Sequence, residues 1–130
     1  MKEKLVMVVD DEEQIREVFK TALESEGFKV VTAPTAEEAL DILKMKNVNV
    51  FFLDLNLPGM NGLELCKLIR RDNPIAFIFA VTGYGSIFEL VECREVGFDD
   101  YFKKPVDLRL LVEAAKESFN KLERWTGTKK

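Results

Sequence analysis

Val48-Asn49-Val50-Phe51-Phe52-Leu53-Asp54-Leu55-Asn56-Leu57-Pro58-Gly59-Met60-Asn61-Gly62 is the stretch on which the fold turns. From Val48 to Leu53 it is almost continuously apolar, the pattern of a strand buried on both faces rather than on one. Pro58-Gly59 is a turn signal, and Asn61 with Glu64 offers a capping start for a helix. Strand, turn and helix in that order form one βα unit whose strand needs helices on both sides.

Working outward, similar apolar runs recur at Leu5 to Val9, Val30 to Ala33, Ala76 to Val81 and, more weakly, Tyr101-Phe102. Between them Ile15, Val18, Phe19, Ala22 and Leu23 follow the spacing of one buried helix face, as do Leu108, Leu111, Val112, Ala115 and Phe119. Thr35 with Glu38 marks another helix start, while Gly27-Phe28 and Gly97-Phe98 read as helix stops. The chain is thus a (βα) unit repeated five times, an α/β fold with an open, doubly wound parallel sheet. In such a sheet the binding crevice lies at the carboxyl ends of the strands.

The bulk numbers narrow the chemistry. A chain of 130 residues, 47% hydrophobic and 32% charged, suits one globular domain, expected over residues 1–125 with a polar tail at 126–130. There is no apolar run fit to span a bilayer and no signal-peptide pattern at Met1-Lys2-Glu3-Lys4, so no membrane association and a cytoplasmic location are expected. The formal charge of -4 argues against direct nucleic-acid binding. Cys66 and Cys93, far apart and without CxxC spacing, read as small buried hydrophobes. Histidine is absent altogether, which excludes histidine-based triads, histidine-ligated zinc and a phosphohistidine within this chain. Chemistry must run on carboxylates, hydroxyls and lysine.

The residues just beyond the apolar runs supply those groups. The first strand ends in Asp10-Asp11, the third in Asp54, the fourth in Thr82, and the fifth is followed by Lys104-Pro105. Taken singly each has an ordinary alternative: Asp11 or Glu12 as helix caps, Thr82 as the cap of the fourth helix, Tyr101 as a core aromatic, Lys104 as a surface lysine. Jointly they do not. Two carboxylates about 4 Å apart repel by roughly 4 kcal/mol at an effective dielectric near 20, so such a cluster calls for a cation or shifted pKa values. A hard divalent ion with oxygen ligands answers that need, and magnesium leaves positions open for phosphate oxygens. An aspartate carboxylate is also a competent nucleophile toward phosphorus.

Four segments, Val8-Val9-Asp10-Asp11-Glu12, Phe52 to Gly62, Val81-Thr82-Gly83 and Asp99-Asp100-Tyr101-Phe102-Lys103-Lys104-Pro105, together resemble the receiver domains of two-component response regulators over nearly the whole chain. The resemblance implies a flavodoxin-like five-stranded sheet in the order 2-1-3-4-5, which makes the first and third strands neighbours and brings Asp10, Asp11 and Asp54 together. It implies Asp54 as phosphoacceptor. Magnesium, or manganese in its place, would be held by Asp11 directly, by Asp10 largely through water, by Asp54, and by the backbone carbonyl of Asn56. Thr82 would bond the phosphoryl group, Lys104 would pair with it across a cis bond to Pro105, and Thr82 with Tyr101 would form the switch. Gly83 matches the small residue that leaves the site open to a partner, and Asn56 and Tyr84 occupy the places that tune phosphoryl lifetime.

The implied partners are a sensor histidine kinase or histidine phosphotransfer protein as donor, and a downstream protein or a second copy docking on the fourth helix, fifth strand and fifth helix. The chain would then be no enzyme toward other molecules, catalysing only its own phosphorylation and dephosphorylation. Two alternatives stand beside this reading. A small phosphatase of the haloacid dehalogenase kind also uses a strand-end aspartate, magnesium, a hydroxyl and a lysine, but wants Asp-x-Asp after its first strand, where this chain has adjacent aspartates and no room for a cap domain. A receiver-like scaffold signalling without phosphorylation would not need Asp54, Thr82 and Lys104 intact. Since the sequence ends soon after the last helix, no output domain is expected within it.

Overall fold

The computed structural model describes residues 3–83 and 86–127. Strands and helices alternate as β1 (Leu5–Val9), α1 (Glu13–Glu24), β2 (Lys29–Ala33), α2 (Ala36–Leu43), β3 (Val50–Asp54), α3 (Gly62–Asp72), β4 (Phe77–Thr82), α4 (Ile87–Val96), β5 (Asp100–Lys103) and α5 (Leu108–Thr126). The strands form one parallel sheet in the order β2-β1-β3-β4-β5. The fold is the flavodoxin-like one expected.

Side-chain alternation explains the two layers. Met7, Val9, Phe51, Leu53, Ile78 and Ala80 point to one face, where they pack with Ala39, Leu65, Ile69 and Cys93 of α2, α3 and α4. Val8, Phe52, Phe79 and Val81 point to the other, against Phe19 and Leu23 of α1 and Leu111, Ala115 and Phe119 of α5. Because both faces are covered, every residue of β3 and β4 is buried. Cys66 and Cys93 are buried free thiols within the first of these cores.

Local signals place the helix ends. The Asn61 side chain accepts from the Glu64 amide at 2.9 Å while Glu64 accepts from the Asn61 amide at 3.0 Å, a reciprocal cap that starts α3. Gly97 stops α4 at φ 108°, and the amide of buried Phe98 reaches back to the Cys93 carbonyl at 3.0 Å. One sequence expectation needs correction. Val18 is 47% exposed, because the stripe that turns inward on α1 is set by Phe19 and Leu23, and Val18 sits about 100° round the helix from Phe19. The last helix runs to Thr126, with Gly127 beyond it at φ 71°.

Strand register brings the polar strand ends level. Val9 is opposite Leu53, Leu53 opposite Ala80, and Thr82 opposite Lys103. The next residues along, Asp10 after the first strand, Asp54 on the third and Lys104 after the fifth, therefore emerge at the same edge of the sheet.

Candidate functional site

Asp10, one residue past β1, is tied at every polar atom. Its amide donates to the Ala33 carbonyl at 3.1 Å, its carbonyl accepts from Arg16 Nη1 at 2.8 Å, and Oδ1 accepts from the Glu12 amide at 2.9 Å. Oδ2 faces Lys104 Nζ at 3.0 Å. Asp54 closes β3, with Oδ1 accepting from the Asn56 amide at 3.1 Å. The loop after it folds back tightly, the Leu55 amide bonding the Val81 carbonyl and the Gly62 amide bonding the Leu55 carbonyl, both at 3.1 Å. Glycine is required at position 62: a Cβ there would collide with the Asp54 carbonyl oxygen and come within 2.8 Å of the Leu55 Cα.

The result is a compact acidic group. One carboxylate oxygen from each of Asp10, Asp11 and Asp54 lies within 4.8 Å of the others, with Asp10 and Asp54 buried and Asp11 open to solvent. Burial pushes the Asp54 carboxyl above its ordinary range; the Asn56 amide pulls it back, Asp10 pushes it up, Lys104 pulls it down and Asp11 pushes it up again. Lys104 Nζ stands 3.6 Å from Asp54 Oδ2 and 3.8 Å from Glu12 Oε1 as well as against Asp10. Burial alone would lower its ammonium, but the hydrogen bond and charge of Asp10 with the charges of Asp54 and Glu12 outweigh that and raise it. Three hard oxygen donors that repel one another around a solvent-facing member fit a divalent cation of the magnesium or calcium kind.

The other expected residues fall around this group. Thr82 is fully buried at the end of β4, with Asn56 Nδ2 3.5 Å from its hydroxyl. It does not cap α4, since Ser86 does, accepting from the Glu89 amide at 3.1 Å. The peptide bond between Lys104 and Pro105 is cis, and the Lys104 amide donates to the Thr82 carbonyl at 2.7 Å. Tyr101, half-buried on β5, donates from Oη to Glu89 Oε1 at 3.2 Å. Its phenol is pushed up to about 12, by burial first and then by the charge and hydrogen bond of Glu89. Gly83 is exposed, whereas Tyr84 lies outside the described residues. Sequence reasoning missed Arg16, Gly62 as a steric requirement, and Glu89. Only Gly62 carried a sequence signal, as glycine on the loop after an acidic strand end.

Over residues 6–116 the chain matches the profile of the response regulator receiver domain. It belongs to that family. Among similar curated proteins, the cyclic di-GMP phosphodiesterase of Thermotoga maritima is 39% identical over 106 residues, 82% of this chain and 28% of that protein. The alkaline phosphatase synthesis transcriptional regulatory protein PhoP of Bacillus subtilis is 37% identical over 106 residues, 82% of this chain and 44% of that protein. This receiver domain thus spans less than half the length of either relative. Among solved structures, the CheY-like response regulator receiver domain protein of Methanospirillum hungatei JF-1 superposes with a TM-score of 0.89 at 35% identity, over 95% of this chain and 98% of that one. The family match sets aside the dehalogenase-like phosphatase. Phosphorylation and signalling to a partner are what this family does. Among the described residues no helix is long and apolar enough to cross a membrane.

Proposed function

We propose that Asp54 is the phosphoacceptor of this receiver domain, taking a phosphoryl group from a phosphohistidine on a sensor kinase or phosphotransfer protein, or from a small acyl phosphate. The observation that carries the reading is the reach of Lys104, whose ammonium faces Asp10 at 3.0 Å and Asp54 at 3.6 Å beside the exposed carboxylate of Asp11. A carboxylate oxygen of Asp54 bonds to phosphorus as the donor's P–N or P–O bond breaks, and the leaving imidazole or carboxylate carries away the electron pair. The Lys104 ammonium and the Thr82 hydroxyl would donate to the equatorial phosphoryl oxygens, where charge gathers in the transition state. Asp10, Asp11, Asp54 and the Asn56 carbonyl would hold magnesium, or manganese, which when bound offsets the repulsion between carboxylate and phosphate. Since these 130 residues hold no histidine, a phosphohistidine donor lies outside them, and we place the encounter in the cytoplasm.

Phosphorylation would then be read through Thr82 and Tyr101 on the surface of α4, β5 and α5 by a downstream protein or a second copy. The domain would catalyse only its own phosphorylation and dephosphorylation. The test is stoichiometric labelling by acetyl phosphate with magnesium: wild type takes up one phosphoryl group and Asp54→Asn none. Full magnesium-dependent labelling of Asp54→Asn would move the acceptor elsewhere, and an unlabelled wild type would favour the phosphorylation-independent scaffold.

A further inference from the structure

We infer that Arg16 is a positioning residue for the acidic site: its guanidinium fixes the turn that presents Asp10 and Asp11 to a divalent cation. This rests on the metal-dependent function proposed for the domain and deepens it. Arg16 belongs to α1 and contributes no group to the cluster itself. Its Nη1 donates to the Asp10 main-chain oxygen at 2.8 Å, while its own amide donates to the Glu12 carbonyl at 3.2 Å in the first turn of α1, so the side chain reaches back to the turn from a backbone that the helix already fixes.

The first contact matters most. The oxygen that Arg16 holds belongs to the peptide unit joining Asp10 to Asp11, and the orientation of that plane sets the direction in which the Asp11 side chain leaves the backbone. Asp10 has three further restraints, through Ala33, the Glu12 amide and Lys104. Asp11 is the exposed member of the trio. With Arg16 gone, the plane is free to rotate while Asp10 stays pinned, and the Asp11 carboxylate swings off the other two. Arg16 thereby supports a ligand through the backbone, as hydrogen-bonded partners of metal ligands commonly do.

Charge alone predicts the opposite. Arg16 is a cation at the main-chain oxygen of Asp10, next to an acidic cluster, so deleting it deepens the negative potential there and would tighten a dication if geometry were indifferent. The sign of the change in metal affinity therefore separates positioning from simple electrostatics.

The experiment is calorimetric titration of the full chain with magnesium chloride, for wild type, Arg16→Met, Arg16→Gln and Arg16→Lys. Melting curves and the rate of acetyl phosphate labelling against magnesium concentration accompany it. Arg16→Met and Arg16→Gln are expected to bind magnesium about tenfold more weakly, the lower end of the range for lost outer partners of a metal site. They should reach the wild-type labelling rate once magnesium is saturating, a split that general destabilisation would not produce. Arg16→Lys, whose ammonium can reach the same carbonyl, should recover most of the affinity. Unchanged or tighter binding in the neutral variants overturns the inference, and if Arg16→Met fails to fold, Arg16→Gln and Arg16→Lys decide it. A wild type that binds no magnesium brings down the metal reading itself and this inference with it, whereas normal binding by wild type and neutral variants alike removes only the role of Arg16.

Discussion

Lys104 Nζ lies nearer to Asp10 than to Asp54, at 3.0 Å against 3.6 Å, so the lysine is first of all the counter-ion of a carboxylate proposed to serve the metal. Lysine and dication then compete for Asp10. Lys104→Met should tighten magnesium while abolishing the response to phosphorylation. The gain is expected at roughly tenfold, ~1.4 kcal/mol, well under the roughly 4 kcal/mol of a close pair at an effective dielectric of 20, since solvent and the remaining carboxylates screen it. Calorimetric titration checks this. Weaker magnesium binding in Lys104→Met would mean that the lysine organises the carboxylates instead of competing for them.

Asp54 gives a stability prediction with a definite sign. Its folded-state pKa lies above the ordinary carboxylate value, burial being the main cause. Such a group binds more protons in the folded than in the unfolded chain, so its contribution falls as pH rises from the ordinary range through the raised value. Once ionised, the buried Asp54 is a cost. Asp54→Asn should therefore melt higher than wild type without metal, by a few degrees if the relief is about 1 kcal/mol. The gap should widen as pH rises from the ordinary carboxylate value, about 4, through the raised folded-state value, as the wild-type carboxyl ionises. Magnesium should close it by stabilising wild type more than the variant. An Asp54→Asn protein that melts lower in thermal denaturation at neutral pH would show that the carboxylate is satisfied where it stands.

Two glycines, Gly62 beyond β3 and Gly83 beyond β4, distinguish steric need from mere tolerance. Gly62→Ala drives a Cβ into the Asp54 carbonyl and the Leu55 Cα, backbone atoms that cannot step aside, so a loss of about 2–3 kcal/mol is expected along with slower labelling of Asp54. Gly83→Ala meets nothing within 4 Å and should change stability by less than about 0.5 kcal/mol. Urea denaturation of both variants measures the difference. Equal stabilities would mean that the loop relaxes around residue 62.

The strands, helix stops and acidic trio were legible because each is a local pattern: a run of apolar residues, a glycine before phenylalanine, an aspartate where the run ends. What stayed hidden depends on side chains meeting across the fold. Arg16 and Glu89 look like ordinary charges of amphipathic helices, and nothing along the chain says that one finds the Asp10 carbonyl and the other the Tyr101 hydroxyl. Arg70 is similar, bonding the Pro74, Ala76 and Gly97 carbonyls and Asp99 from the end of α3. Helix α4 shows no clean apolar stripe, because Ile87 and Val91 face outward at 69% and 50% exposure while Cys93 turns in. Its existence followed from the alternation of elements and from the stop at Gly97, not from its own periodicity.

On the other side of the same helix Glu89 accepts the hydrogen bond from Tyr101, which joins β5 to α4. If Thr82 is drawn toward a phosphoryl group on Asp54, the space behind it changes, and Tyr101 is the side chain placed to respond. A hydrogen bond to a charged group is worth about 1.5 kcal/mol net at the low end, enough to bias a two-state equilibrium roughly tenfold but not to fix it. Tyr101→Phe removes the bias toward the bonded arrangement without removing the ring from the core that it half enters. We therefore expect the amide resonances of α4 in Tyr101→Phe, before any phosphorylation, to move part of the way toward their positions in the wild-type complex with magnesium and beryllium trifluoride, which imitates the acyl phosphate. Glu89→Gln should move them along the same line by a smaller amount, since the amide oxygen still accepts the bond, though without its charge. Shifts in another direction would separate the bond from the switch. Perturbation confined to the loops around Asp11 and Asp54 in the wild-type complex, leaving residues 86–112 unchanged, would show that phosphorylation is not read through this surface at all.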